Sequence, residues 1–272
     1  MKHFLYLGLL LFSGAVQAQS LITMSNKCYK LVQAGNALNE SGDYSKALET
    51  FDKVLRKCSA KDAKEQGNTG RAKALNGLKR YDEAVAAADL AISASNEMGI
   101  AAYFEKAEAH YALQQLSAAA DDYAKIISLS DKNRNAVDRA TMYAKLADLD
   151  WKLQHRDKAF THIDMAIDID QSNPAYLIQK ADYKLKLGDL KPAFALYEEA
   201  TTLSNDKQSM YKMRAFAFTR AMQEKYSTRD AKELGAKMSS EEKKQFCLEW
   251  KQLFDTGYKD VQQDLYYTLI CL

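Results

Sequence analysis

The chain has 272 residues, 38 lysines and arginines against 36 aspartates and glutamates, 11 glycines and two prolines. With charge this close to balance and no basic block, the electrostatic footprint of a nucleic-acid binder is missing. Sixteen tyrosines, abundant alanine and few β-branched runs favour helices, and the length suits one or two ordinary domains or one elongated array.

The chain opens MKHFLYLGLLLFSGAVQAQS, with Lys2 ahead of a short apolar run, Phe4 to Phe12, and small residues at Val16 and Ala18. This layout predicts a secretory signal peptide over 1–18, cleaved after Ala18 so that Gln19 becomes the first residue. The apolar run is shorter than the roughly 20 residues that span a bilayer, and no later stretch is long and apolar enough to cross one. No cysteine stands just past the run, so a lipid anchor is not expected. Without Lys2, 37 basic side chains face 36 acidic ones. Cys28, Cys58, Cys247 and Cys271 remain, and an even count in an exported chain suggests disulfides, with three pairings open.

The stretch from Asn39 to Leu55, NESGDYSKALETFDKVL, carries a pattern that recurs along the chain. Ser41-Gly42-Asp43 ends one helix. Tyr44, Ala47, Leu48, Phe51 and Val54 then give the next helix one apolar face. The small residue of this helix returns as Ala47, Ala84, Ala119, Ala159 and Ala193, at intervals of 37, 35, 40 and 34. Twelve residues before each marker stands another small residue: Gly35, Ala72, Ala107, Ala147 and Ala181. Three before come Tyr44, Tyr81, Leu116, Arg156 and Leu190; four after come Phe51, Ala88, Tyr123, Ile163 and Tyr197. A period near 34 with two helices per unit predicts an α-solenoid, because one hairpin has too little core alone and buries its apolar face on the next. A longer linker, Asp131 to Ala136, absorbs one irregular interval. Asn173-Pro174 reads as an N-cap followed by the first helical position.

This small–aromatic–small pattern resembles the tetratricopeptide repeat family over about Cys28 to Ser204. The units around Ala47 and Ala193 match well; the unit with Arg156 departs from the family at the turn aromatic, and the helix-ending proline is mostly missing. The resemblance implies an all-α fold, a right-handed superhelix of antiparallel hairpins over 19–205, with the first helix of each unit lining a concave groove. On that register the groove set includes Asn36, Asn39, Lys73, Asn76, Phe104, Glu108, Tyr111, Asp148, Trp151, Ile178, Asp182 and Leu185. Phe104, Tyr111 and Trp151 are expected to form an aromatic patch rimmed by Glu108, Asp148 and Asp182, suited to a peptide with apolar and basic side chains. The alternative is that Tyr111 and Trp151 fill gaps between hairpins. The family's clamp for C-terminal carboxylates is not expected: Asn36 fits it, but Val32 stands where a lysine is needed.

After Asn205 the repeat degrades. Residues 206–272 read as an irregular sixth helical unit and a capping hairpin: a long helix from Gln208 to Tyr226, a short one from Asp230 to Met238, one starting at Ser239-Ser240-Glu241-Glu242 and ending near Asp255, and a last one from Tyr258 to Cys271. The ending FCLEWKQLFDTGYKDVQQDLYYTLICL is similar to the C-terminal cap of exported repeat proteins from Bacteroidetes, carried by Cys247, Trp250, Lys251, Gly257 and Cys271. That likeness implies a structural cap closed by a Cys247–Cys271 disulfide. For the other pair the geometry is direct: Cys28 opens the first helix of its hairpin and Cys58 ends the second, so antiparallel packing sets them side by side. Such a bridge is worth roughly 3 kcal/mol in the chain-entropy picture.

Catalytic chemistry has no visible support. His155 and His162 are seven apart across a turn, no helix pairs histidines at i, i+4, and there is no nucleophile elbow or glycine-rich phosphate loop. His110, where the family often carries tyrosine, reads as a packed, hydrogen-bonded histidine. The expectation is a monomeric, non-catalytic, exported scaffold without cofactor or metal. It would bind a protein or peptide in the periplasm or outside the cell. The alternatives are an accessory subunit of a cell-envelope assembly, or an accessory protein that binds small ligands such as glycans through exposed rings.

Overall fold

A computed structural model of the chain describes residues 24–130 and 136–272. The leader expected over 1–18 and linker residues 131–135 lie outside the described residues. Within them run α1 (Asn26–Glu40), α2 (Tyr44–Lys57), α3 (Lys61–Gly77), α4 (Tyr81–Ala94), α5 (Ile100–Ala112), α6 (Leu116–Ser130), α7 (Ala136–Lys152), α8 (Arg156–Ile169), α9 (Pro174–Lys186) and α10 (Leu190–Leu203). Four more helices follow: α11 (Lys207–Tyr226), α12 (Ala231–Lys237), α13 (Ser240–Asp255) and α14 (Val261–Cys271). None of these helices is long and apolar enough to cross a membrane.

Each helix of the array packs on the next in sequence, so α1 to α10 form five antiparallel hairpins. The odd helices also pack on one another, α1 on α3, α3 on α5 and α7 on α9, whereas no two even helices of the array pack closely. Close approach on one side and separation on the other curve the stack, with the odd helices on the inside. The small markers make this possible: Ala47, Ala84, Ala119, Ala159 and Ala193 are all fully buried. Phe51 shows how tight the fit is. Its ring lies against α1 and α3 so closely that a Cβ on Gly70 would stand 2.1 Å from Cζ.

One turn is used five times. Each even helix starts at the position three before its marker. Two residues earlier, Gly42, Lys79, Gln114, Gln154 and Gly188 all take the left-handed conformation, with φ between 61° and 82°. The next backbone N–H reaches back across the helix end, from Asp43 to Leu38 O, Arg80 to Leu75 O, Gln115 to His110 O, His155 to Asp150 O and Asp189 to Lys184 O, at 2.8–3.0 Å. This satisfies carbonyls that a helix end leaves open. Asn173 caps α9 by accepting from the Ala175 N–H ahead of Pro174.

The turn residue Arg156 also has its explanation. Its guanidinium lies 3.7 Å from the centre of the Trp151 ring at the end of α7, so it packs on a ring where the other hairpins place an apolar side chain.

The C-terminal helices depart from simple hairpin order. α11 packs on α13, α12 on α14, and α13 also meets α14. Ser239 and Glu242 form a reciprocal capping box at the start of α13. The last helix begins at Val261 rather than at Tyr258, because Asp260 is extended (φ −156°) and its carboxylate accepts from the Gln262 and Gln263 N–H groups. Cys28 is bonded to Cys58 and Cys247 to Cys271, with Cα–Cα distances of 6.0 and 5.7 Å.

Candidate functional site

The inner surface offers a depression of about 400 Å³ where α5, α7 and α9 meet. Glu108, Tyr111, Tyr123, Thr141, Lys145, Asp148 and Gln179 line it together with Ala144 and Leu149. Helical spacing explains the grouping: Thr141, Lys145 and Asp148 lie at i, i+4 and i+7 on α7, so they share one face.

Of the residues expected in the groove, Glu108, Tyr111 and Asp148 are brought together here. Phe104 sits beside them, half-buried, edge-on to Tyr123 at 6.3 Å with Lys145 Nζ 5.5 Å from its centre. Trp151 and Leu185 do not line this depression. Trp151 is 8 % exposed and stacks flat on Tyr183 at 4.3 Å, with Phe160 edge-on and Arg156 over its other face. Leu185 is buried in the core that joins the array to the cap. Asp182 and Leu185 line a smaller depression together with Lys186, Arg220 and Glu224. The expected patch is therefore split, because the odd helices come close enough for rings at their ends to fill the space between hairpins.

Asn39 and Asn76 act within the stack. Asn39 is buried, and its Nδ2 donates to Gly70 O at 2.9 Å; Asn76 Nδ2 donates to Glu105 O at 2.9 Å. Each ties its helix to the next odd helix.

The acidic rim is not bare. Lys145 Nζ lies 2.7 Å from Glu108, and Tyr123 OH also donates to that carboxylate. Lys152 Nζ is 2.8 Å from Asp148 and 4.2 Å from the centre of the Tyr111 ring. Tyr111 OH donates to Asp148 at 3.3 Å and accepts from Lys152. Tyr197 OH donates to Asp182. Burial pushes the Asp148 and Asp182 carboxyls up. At Asp148 the nearby Lys186 and Lys145 oppose that push.

One hairpin rule separates these acids. In the third and fifth hairpins the tyrosine four after the marker (Tyr123, Tyr197) reaches back to the acid eleven before it (Glu108, Asp182). In the fourth hairpin that position is Ile163, fully buried, so α8 offers Asp148 no tyrosine. Asp148 is instead held by Tyr111 OH and Lys152.

Tyr123, Thr141, Lys145 and Gln179 line the depression but were not among the residues expected there. The spacing of Lys145 from Asp148 on one helix face was the available signal. Gln179 Nε2 is occupied by Ala144 O at 2.8 Å and Tyr183 OH at 2.6 Å. His110 lies away from the groove, with Nδ1 2.8 Å from the buried Asp122 carboxylate, in keeping with a packed histidine.

The family model described as Tetratricopeptide repeat matches residues 174–207, the hairpin of α9 and α10. Among solved structures, a tetratricopeptide repeat protein from Parabacteroides merdae ATCC 43184 is similar over 91 % of this chain and 100 % of its own, at 16 % identity and a TM-score of 0.59. MamA 41-end from Desulfovibrio magneticus RS-1 is similar over 66 % of this chain and 97 % of its own, at 17 % identity and a TM-score of 0.56. A thermophilic TPR protein from Thermus thermophilus covers 70 % of this chain and 98 % of its own, at 18 % identity and a TM-score of 0.52. At these identities the likeness is one of fold. No curated protein matches the chain.

Proposed function

Starting from the finding that the chain is a tetratricopeptide-repeat protein, we propose that it is a non-catalytic scaffold holding a protein or peptide in its concave groove, in the periplasm or outside the cell. The observation that carries the groove reading is the depression between α5, α7 and α9, where Glu108, Lys145, Asp148 and Lys152 alternate in sign around Tyr111. Such a surface suits an extended segment bearing both charges and small apolar groups, since each ion pair is partly exposed and can exchange its partner for one on the ligand. A glycan reading has less support, because ammonium groups stand over the Phe104 and Tyr111 rings that a sugar would need. Export is supported by the Lys2 to Ala18 layout and by the four cysteines being paired, a state that persists in oxidising compartments.

The test is retention of proteins from cell-envelope extract on the exported chain, its first residue checked as Gln19 by mass spectrometry. A Lys145→Glu/Asp148→Lys variant runs beside it. Both side chains are more than a third exposed, so the variant keeps the fold. The expected result is a partner held by the wild type and weakened about tenfold or more by the variant. Equal retention by both moves the contact away from the groove, and no retained protein sinks the scaffold reading.

A further inference from the structure

The two ends of the solenoid have opposite character. On α1 the exposed residues include Lys27, Lys30, Gln33 and Glu40, with Tyr29 the one large ring among them. On α14 the side away from the core carries Val261, Leu265, Leu269 and Leu272, which are 90 %, 59 %, 41 % and 93 % exposed. Successive spacings of 4, 4 and 3 put them on one stripe, opposite Ile270, which is buried in the cap. A solvated helix face is ordinarily polar, and the outer face of this helix, the last of those described, is apolar.

We infer that the outer face of α14 is a self-association surface, and that two copies of the chain pair through it end to end about a two-fold axis. Three observations select a second copy. Asp264 is the one ionised side chain among the residues of α14, so two such faces meet with little like-charge repulsion. At the exposures given, the four residues present roughly 500 Å² per copy, the size of the largest patch on a typical monomer, which is often functional. Two copies together cover about 1,000 Å², the lower bound of a specific interface. A head-to-tail contact is disfavoured, because it would press Lys27 and Lys30 against leucines with no carboxylate from α14 except Asp264. The pairing therefore closes at two copies instead of growing into a filament.

Sedimentation equilibrium of the purified chain across the micromolar range tests this. The wild type is expected to pass from monomer to dimer mass and stop there. Leu265→Lys/Leu269→Lys, which alters two exposed positions, is expected to weaken the dimer about tenfold or more with an unchanged helical circular dichroism spectrum. Lys27→Glu/Lys30→Glu at the other end is expected to leave it unchanged. The inference is overturned by a wild type that stays monomeric, or by one that grows beyond a dimer. It is equally overturned if the α14 variant dimerises like the wild type, or if the α1 variant loses the dimer. A wild type that stays monomeric but floats with anionic lipid vesicles would reassign the stripe to a membrane surface.

Discussion

Hairpins α1 to α10 repeat a buried alanine at every crossing, whereas α11 to α14 centre on one buried ring, Trp250, and one buried salt bridge, Arg214 with Glu249. In the array the same small residue recurs at each crossing, and each hairpin touches mainly its neighbours. Its buried carboxylates are met by imidazoles: Asp122 by His110 at 2.8 Å and Asp150 by His162 at 2.7 Å, the same two hairpin positions with the partners exchanged. The cap concentrates its packing. Trp250 is fully buried, donates from Nε1 to Thr219 Oγ1 at 3.0 Å, and has Phe216, Phe246 and Phe254 around it. Arg214 and Glu249, both buried, form a two-pronged pair at 2.9 and 3.0 Å; Glu198 and Thr201 accept further hydrogen bonds from Arg214, and Gln245 donates one to Glu249. The difference teaches where stability resides. An array spreads it over many equivalent contacts, so one change is local; a non-repeating end holds it in a few groups, so one change is costly.

The largest effect expected from this contrast is at Arg214. Arg214→Met leaves Glu249 buried beside a thioether, and the cost should be about 3–5 kcal/mol. Arg214→Met/Glu249→Met should recover most of it. Urea unfolding midpoints measure both, and a loss below about 1 kcal/mol for the single variant would dissolve the contrast between array and cap.

Next comes Glu242, buried at the start of α13. Burial works against its charge, but donations from Lys225, Tyr226 and Ser239 outweigh that and bring the carboxyl from 4.5 down to about 2. A depressed carboxyl stabilises the fold above its unfolded value and loses that contribution as pH falls through the folded one. The cap should therefore keep this contribution at about pH 5 and shed up to about 3 kcal/mol between about pH 4.5 and 2. Stability curves of the wild type and Glu242→Gln against pH should diverge above that window and converge in acid; parallel curves would remove Glu242 from the account.

The smallest effects lie in the array turns. Lys79, Gln114 and Gln154 hold left-handed backbone that glycine adopts freely. Lys79→Gly, Gln114→Gly and Gln154→Gly should each gain about 1 kcal/mol, and Gly42→Ala or Gly188→Ala should lose a similar amount. Because the five turns are equivalent, the three gains should agree and add. Melting temperatures of the single and triple variants decide it, and three unequal values would mean that the turns are not the same device.

The architecture was legible in the sequence because its cause is local. A small residue twelve before the marker, another at the marker and a larger one four after it mean the same thing in every hairpin, and each even helix starts where that spacing says. Ser239 with Glu242, Asn173 with Pro174, and Cys28 with Cys58 were readable for the same reason: each acts across one turn or one hairpin. Trp151 and Tyr111 show where that stops. They occupy the same position in neighbouring hairpins, yet Trp151 is covered by Tyr183 of the next odd helix and Arg156 of its own turn, whereas Tyr111 meets Asp148 and Lys152 at the groove.

The sequence by itself determined the period, the helix boundaries to within a few residues and the disulfide between the ends of the first hairpin. Tertiary structure alone decided which rings became core, how the groove acids were neutralised, the pairing of α11 with α13, and the apolar outer face of α14. Those outcomes depend on what the neighbouring unit places within a few ångströms, which no spacing within a single helix encodes.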